Sequence, residues 1–154
     1  MNFKLLAVLL MVFTSCQEQA SNEKVDSANI IEQVKSQVNA FHAADTSLNA
    51  QGVIDLLWPE FTILVDGNRI AYEDVKTGTK AFMATLESFH TEWDDLKIVP
   101  LGSHYAIASF IFTDSIIGKD GTITQSKGPN TFVWEKRNEE WKLIYADADH
   151  YPVE

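Results

Sequence analysis

The chain has a single cysteine in 154 residues, Cys16, so no intrachain disulfide can brace it. It also lacks any cluster of lysine and arginine. Twelve basic residues stand against 22 acidic ones, giving a formal net charge of −10 and a sequence pI near 4.7. Phosphate recognition needs clustered cations, so no nucleic-acid partner is expected, and the dispersed acidic excess serves solubility. Glycine-rich phosphate loops and nucleophile elbows are missing, and the lone cysteine lies near the start, which disfavours hydrolysis by covalent catalysis. His42, His90, His104 and His150 form no i,i+4 or His-x-His pair, so neither a metal nor a cofactor is expected. There are no repeats and no low-complexity tracts. What is present is a 45% hydrophobic chain long enough for one domain with a real core.

The first sixteen residues differ from the rest. "MNFKLLAVLLMVFTSC" has one basic residue, Lys4, then an apolar run from Leu5 to Phe13 and small residues before the cysteine. A helix needs about 20 apolar residues to cross a bilayer, so this run is a secretion signal rather than a span. Cys16 after Thr14 and Ser15 resembles a bacterial lipoprotein cleavage site, with Phe13 where leucine is usual; ordinary export with a free thiol is the alternative. The expected location is the bacterial cell envelope, periplasm or outer membrane, with membrane contact through the lipid alone. Residues 17–27 read as a polar linker and 28–154 as the folded domain.

Within that domain, Ile30, Ile31, Val34, Val38 and Phe41 recur at spacings of three and four, which predicts a helix to about Ala44. A second helix is predicted over 50–58, closed by Pro59, and a third over 72–89, with Gly78 weakening its middle. "FTILVDGN" reads as a strand entering an Asp66-Gly67 turn. After Glu92 the texture turns to β, in four long runs separated by short polar or Asp-Gly loops. The class is therefore α+β, with about three N-terminal helices covering one face of a curved antiparallel meander.

This order, with "EFTILVDG" in the first strand and the closing hairpin "VWEKRNEEWKLIYADADHY", resembles the nuclear transport factor 2-like superfamily, and within it the SnoaL-like small bacterial proteins, over residues 28–151. The resemblance implies a cone-shaped half-barrel with an apolar pocket on the concave side and frequent homodimerisation through the outer face of the sheet. Steroid isomerases of that superfamily carry a proton-shuttling aspartate after the first strand, which makes Asp66 a candidate base. The tyrosine and second acid that should face it have no evident counterpart, and a plain turn aspartate is the other reading.

Period-two alternation places Trp141, Leu143, Tyr145, Asp147 and Asp149 on one face of the last long strand. If that face lines the cone, Asp147 is a second candidate base; otherwise Asp147 and Asp149 are a solvated strand end. Trp58, Tyr72, His90, Phe112, Trp134, Tyr145 and Asp149 are the candidate ligand-binding residues, although most aromatics must be core. The leading expectation is binding of a small apolar or amphipathic molecule. Proton-transfer catalysis, as an isomerase or cyclase, and a non-catalytic dimeric interaction module are the alternatives.

Overall fold

The computed structural model describes residues 26–153. The expected signal, Cys16 and all but the end of the expected linker lie outside the described residues. Helix α1, Ser27–Thr46, starts where the side chain of Asp26 accepts a hydrogen bond from the Asn29 N–H at 3.1 Å. Its stripe buries Ile30, Val34 and Val38, each contributing about 1.5–3 kcal/mol through loss of water contact. Helix α2, Ala50–Asp55, is capped by Asn49 through the Gly52 N–H. It ends earlier than the sequence predicts, because Trp58 and Pro59 belong to strand β1, Leu57–Val65. Pro59 has no N–H to give, and it falls in a stretch of β1 without partners in the neighbouring strand. Asp66 and Gly67 have φ of +48° and +79° and form the two-residue turn to β2, Asn68–Ala71.

Helix α3, Tyr72–Thr85, stops four residues short of the predicted end. Residues 86–89 start the long strand β3, Leu86–Pro100, because they find ladder partners in Ile116–Gly118 of β4, Tyr105–Gly118. Strands β5, Ile123–Arg137, and β6, Glu140–Ala148, complete the expected antiparallel meander, and the short β7, Tyr151–Pro152, pairs with β5. The sheet order is β2-β1-β6-β5-β4-β3, with β1 parallel to β6. The three helices pack on its concave face, so the fold is an α+β cone with an unclosed, curved sheet. Curvature enters at breaks in register, including one in β3 between Asp94 and Lys97, where Asp95 has φ of +56°.

A second break decides which face of β6 looks inward. Val133 pairs with Tyr145 and Trp134 with Leu143, so Ile144 is an extra residue without a partner in β5. Trp141 and Leu143 point into the core, and after the bulge the inward positions are Ala146 and Ala148. Tyr145, Asp147 and Asp149 therefore do not share a face with Trp141 and Leu143. A single inserted residue reverses the phase of a period-two pattern, and Tyr145 and Asp147 lie on the convex side.

Candidate functional site

Two connected chambers of about 240 and 160 Å³ occupy the concave side, sharing Phe41, Asp45, Ile63, Phe82 and Phe132. Together they sit near the lower end of the range for small-molecule sites, roughly 300–1,000 Å³. The walls are aromatic: Trp93 stacks on Phe110 at 4.2 Å between centroids, and Phe41 leans on Phe132 at 5.1 Å. A larger depression of about 580 Å³ lies between the end of α3 and the β4–β5 turn, but its ionisable groups, Lys119 and Asp120, are exposed. Desolvated polar groups are what give a cavity chemistry, and these lie in the concave chambers.

Asp45, on the last turn of α1, and Asp114, in β4, both face this space. Burial, reinforced by the negative charge of Asp114, pushes the Asp45 carboxyl up to about 7. Burial also raises Asp114, which is 8% exposed, while the Thr91 hydroxyl and the nearby His150 pull it partly back. The Thr91 hydroxyl accepts a hydrogen bond from Trp93 Nε1 at 2.9 Å, and the Thr91 carbonyl accepts one from His42 Nε2 at 3.0 Å. His150 closes one side of the larger chamber, its ring 4.9 Å from that of Phe112. Its Nδ1 lies 3.2 Å from Asp66 Oδ1, which also accepts the His150 backbone N–H at 2.7 Å. These contacts hold the Asp66 carboxyl below the usual carboxylate range. Among the described residues no three His, Cys, Asp or Glu side chains are grouped to hold a metal ion.

Of the residues singled out from sequence, Phe112 lines the cavity. Asp66 does not; it sits at the exposed β1–β2 turn and acts on the site through His150. Asp147 receives the Tyr145 hydroxyl at 3.2 Å on the convex face, so this pair satisfies itself away from the chambers. Trp58 also faces outward: its indole N–H donates to the Glu135 carbonyl at 3.1 Å, and its ring sits between Arg137 and Lys142. His90 is on the exposed side of β3, 3.6 Å from Glu92. Tyr72, in the first turn of α3, carries Lys76 over its ring and packs at the edge of the core. Trp134 is fully buried behind Phe132, in the core rather than on a chamber wall. The Asp149 backbone crosses β5, where a Cβ on Gly128 would collide with the Asp149 carbonyl, so glycine is required for that crossing.

Asp45, Asp114, Thr91, Asn130 and His150 were not foreseen as a set. One signal for Asp114 was available. In β4 the alternate residues Ala106, Ala108, Phe110 and Phe112 are all apolar and buried, and Asp114 continues their series. An acid in the buried phase of a strand is the informative exception.

No family model matches the chain, and no curated protein matches it in sequence. Solved structures do match in fold. A nuclear transport factor 2-like superfamily protein from Salmonella enterica serovar Typhimurium superposes with a TM-score of 0.72 at 16% identity, over 82% of this chain and 94% of that one. A candidate scytalone dehydratase from Novosphingobium aromaticivorans gives 0.73 at 9% identity, over 82% and 91%. A hexachlorocyclohexane dehydrochlorinase (LinA type 2) gives 0.70 at 7% identity, over 82% and 90%. At such identities the likeness is one of fold, and the fold is that of the nuclear transport factor 2-like cone.

Proposed function

We propose that the protein is an exported, lipid-anchored enzyme that binds a small molecule with an apolar body in the concave chambers and catalyses elimination from it by proton transfer. The observation that carries this reading is the placing of Asp45 and Asp114 on the wall of one apolar chamber, where burial and the Asp114 charge push the Asp45 carboxyl up to about 7. Such a group can hold a proton at neutral pH and still release it, which is what a general acid needs. With its Nδ1–H directed at Asp66, the His150 ring leaves Nε2 as an acceptor, the complementary base. In the proposed step Nε2 takes a proton from carbon, and the C–H electron pair becomes the new double bond. The bond to the leaving group breaks, and that group departs with the Asp45 proton. Two of the structural neighbours, a candidate dehydratase and a dehydrochlorinase, bear names of eliminations, which supports the reaction class. A second copy of the chain is the proposed partner for the convex face, where Val99 and Tyr105 are 53% and 43% exposed.

The test is turnover of β-hydroxy ketones with an aryl substituent, followed by enone absorbance. Asp45→Asn is expected to lower kcat by roughly a hundredfold or more, as loss of an acid–base group does, while Asp147→Asn leaves it unchanged. Equal activity of Asp45→Asn and the parent chain would sink the reading. The anchor has its own check in mass spectrometry of the mature N-terminus: a lipid-sized addition on Cys16 is expected, and an unmodified cysteine removes the anchor.

A further inference from the structure

The chambers contain acceptors without donors. Asp114 Oδ1 and Asn130 Oδ1 are both inaccessible and have no hydrogen-bond partner among the described residues. An amide can turn to present its nitrogen instead, but a carboxylate cannot. Burial favours the protonated form of Asp114, and its neighbours Thr91 and His150 favour the ionised one. Thr91 has one hydroxyl proton and receives the Trp93 indole N–H at 2.9 Å, so its own proton is free to go to Asp114. Asp114 then accepts from Thr91, and in its ionised form Oδ1 is left in need of a donor. A buried acceptor without one is costly, the more so when charged.

Among the described residues no donor lies within hydrogen-bond distance of this oxygen, the buried Ser126 hydroxyl opposite Asp114 in β5 included. The ionisable groups lining the two chambers are Asp45 from α1, Asp114 from β4 and His150 after β6, with neither lysine nor arginine. His42, also on α1, spends its Nε2–H on the Thr91 carbonyl. The part of α3 that lines the chambers presents apolar side chains and Thr79. Around the acceptor stand the rings of Trp93 and Phe112, whose faces attract cations. A carboxylate ligand would meet two acids, and a purely apolar one would leave Asp114 Oδ1 unsatisfied. We propose that the cavity selects a small primary amine in its ammonium form, with an N–H on Asp114 Oδ1 and the apolar body against Phe41, Trp93 and Phe132.

This proposal rests on the concave chambers being the ligand site and adds the charge of the ligand. An ammonium at Asp114 offsets the negative charge that helps to raise Asp45, so binding shifts the Asp45 carboxyl downward and releases protons near neutral pH. Amine affinity therefore rises with pH across the titration of Asp45, with the His150 and His42 rings the other ionisable groups that face this region.

The experiment is isothermal titration calorimetry of the full chain, at about pH 8, with three probes of similar shape: phenethylamine, phenethyl alcohol and hydrocinnamate. The amine is expected to bind at least roughly tenfold more tightly than the alcohol, and hydrocinnamate to give no binding heat. Asp114→Asn is expected to bring the amine down to the affinity of the alcohol while the alcohol is unchanged, which also shows that the variant is folded. Should that variant not fold, Thr91→Val replaces it, with the amine weakened and the alcohol retained. Equal binding of amine and alcohol, or preference for hydrocinnamate, overturns the ammonium assignment and leaves the cavity as the ligand site. Failure of all three probes to bind overturns both.

Discussion

Trp134 and Trp141 are both buried, yet their indole nitrogens have different fates. Trp141 Nε1 donates to Gln33 Oε1 at 2.8 Å, whereas Trp134 Nε1 has no partner among the described residues. Trp→Phe removes a similar volume at each site but a hydrogen bond at only one. Trp141→Phe is therefore expected to cost about 1 kcal/mol more than Trp134→Phe in urea unfolding; equal losses would mean that the Gln33 contact contributes nothing. The same distinction between type and environment explains how the acids were read. Asp147 and Asp149 stand out in the sequence because two aspartates at alternate positions close an apolar strand, whereas no pattern in the sequence singles out Asp45. Composition marks both as acids. Only the fold shows that Asp147 is met by the Tyr145 hydroxyl, whereas Asp45 faces a chamber that it shares with another carboxyl.

The elements were largely legible where they repeat a period. The stripe of α1 and the four-stranded meander follow directly from apolar spacing, and α1 begins close to where it was expected. The bulge in β6 was not legible, because an extra residue changes the phase of a strand without changing its composition. Alternation counted straight through Ile144 put Tyr145 and Asp147 on the wrong face. Deleting Ile144 removes the residue without a β5 partner and keeps every other side chain on its present side. That variant is expected to fold with a loss of roughly 1–3 kcal/mol, whereas deletion of Ile111, paired on both sides by Asp94 and Pro129, turns Phe112 and Asp114 outward and is expected to abolish folding. Circular dichroism of the two deletions separates these outcomes, and equal behaviour would show that the bulge is not a tolerant point. The end of α3 departs from the expected one for a related reason: Leu86–Phe89 suit either period, and the ladder with β4 decides.

For the whole molecule the buried acids set a pH dependence of unusual sign. Asp45 has an ordinary value of 3.8 and is raised to about 7 in the folded chain. Between these values the native state holds a proton that the unfolded chain has released, so stability falls as pH rises through this window and levels off above it. The carboxyls lowered by partners, such as Asp66 and Glu135, act oppositely, their contribution being lost as pH falls below about 4. Thermal unfolding is thus expected at a higher Tm near pH 5 than near pH 8, and Asp45→Asn is expected to remove most of the decline; a parent chain whose Tm rises over that interval would contradict the burial of Asp45. The overall class could be read from the order of helices and strands, but the parallel seating of β1 beside β6 could not, since no local pattern joins them. That pairing has a kinetic consequence. The meander can assemble from neighbouring hairpins, whereas β1 must meet β6 across most of the chain, a non-local closure that forms slowly. Asp45 and His150 lie on opposite sides of this closure in chain order, so ligand binding during refolding should report completion of the last step rather than collapse of the sheet.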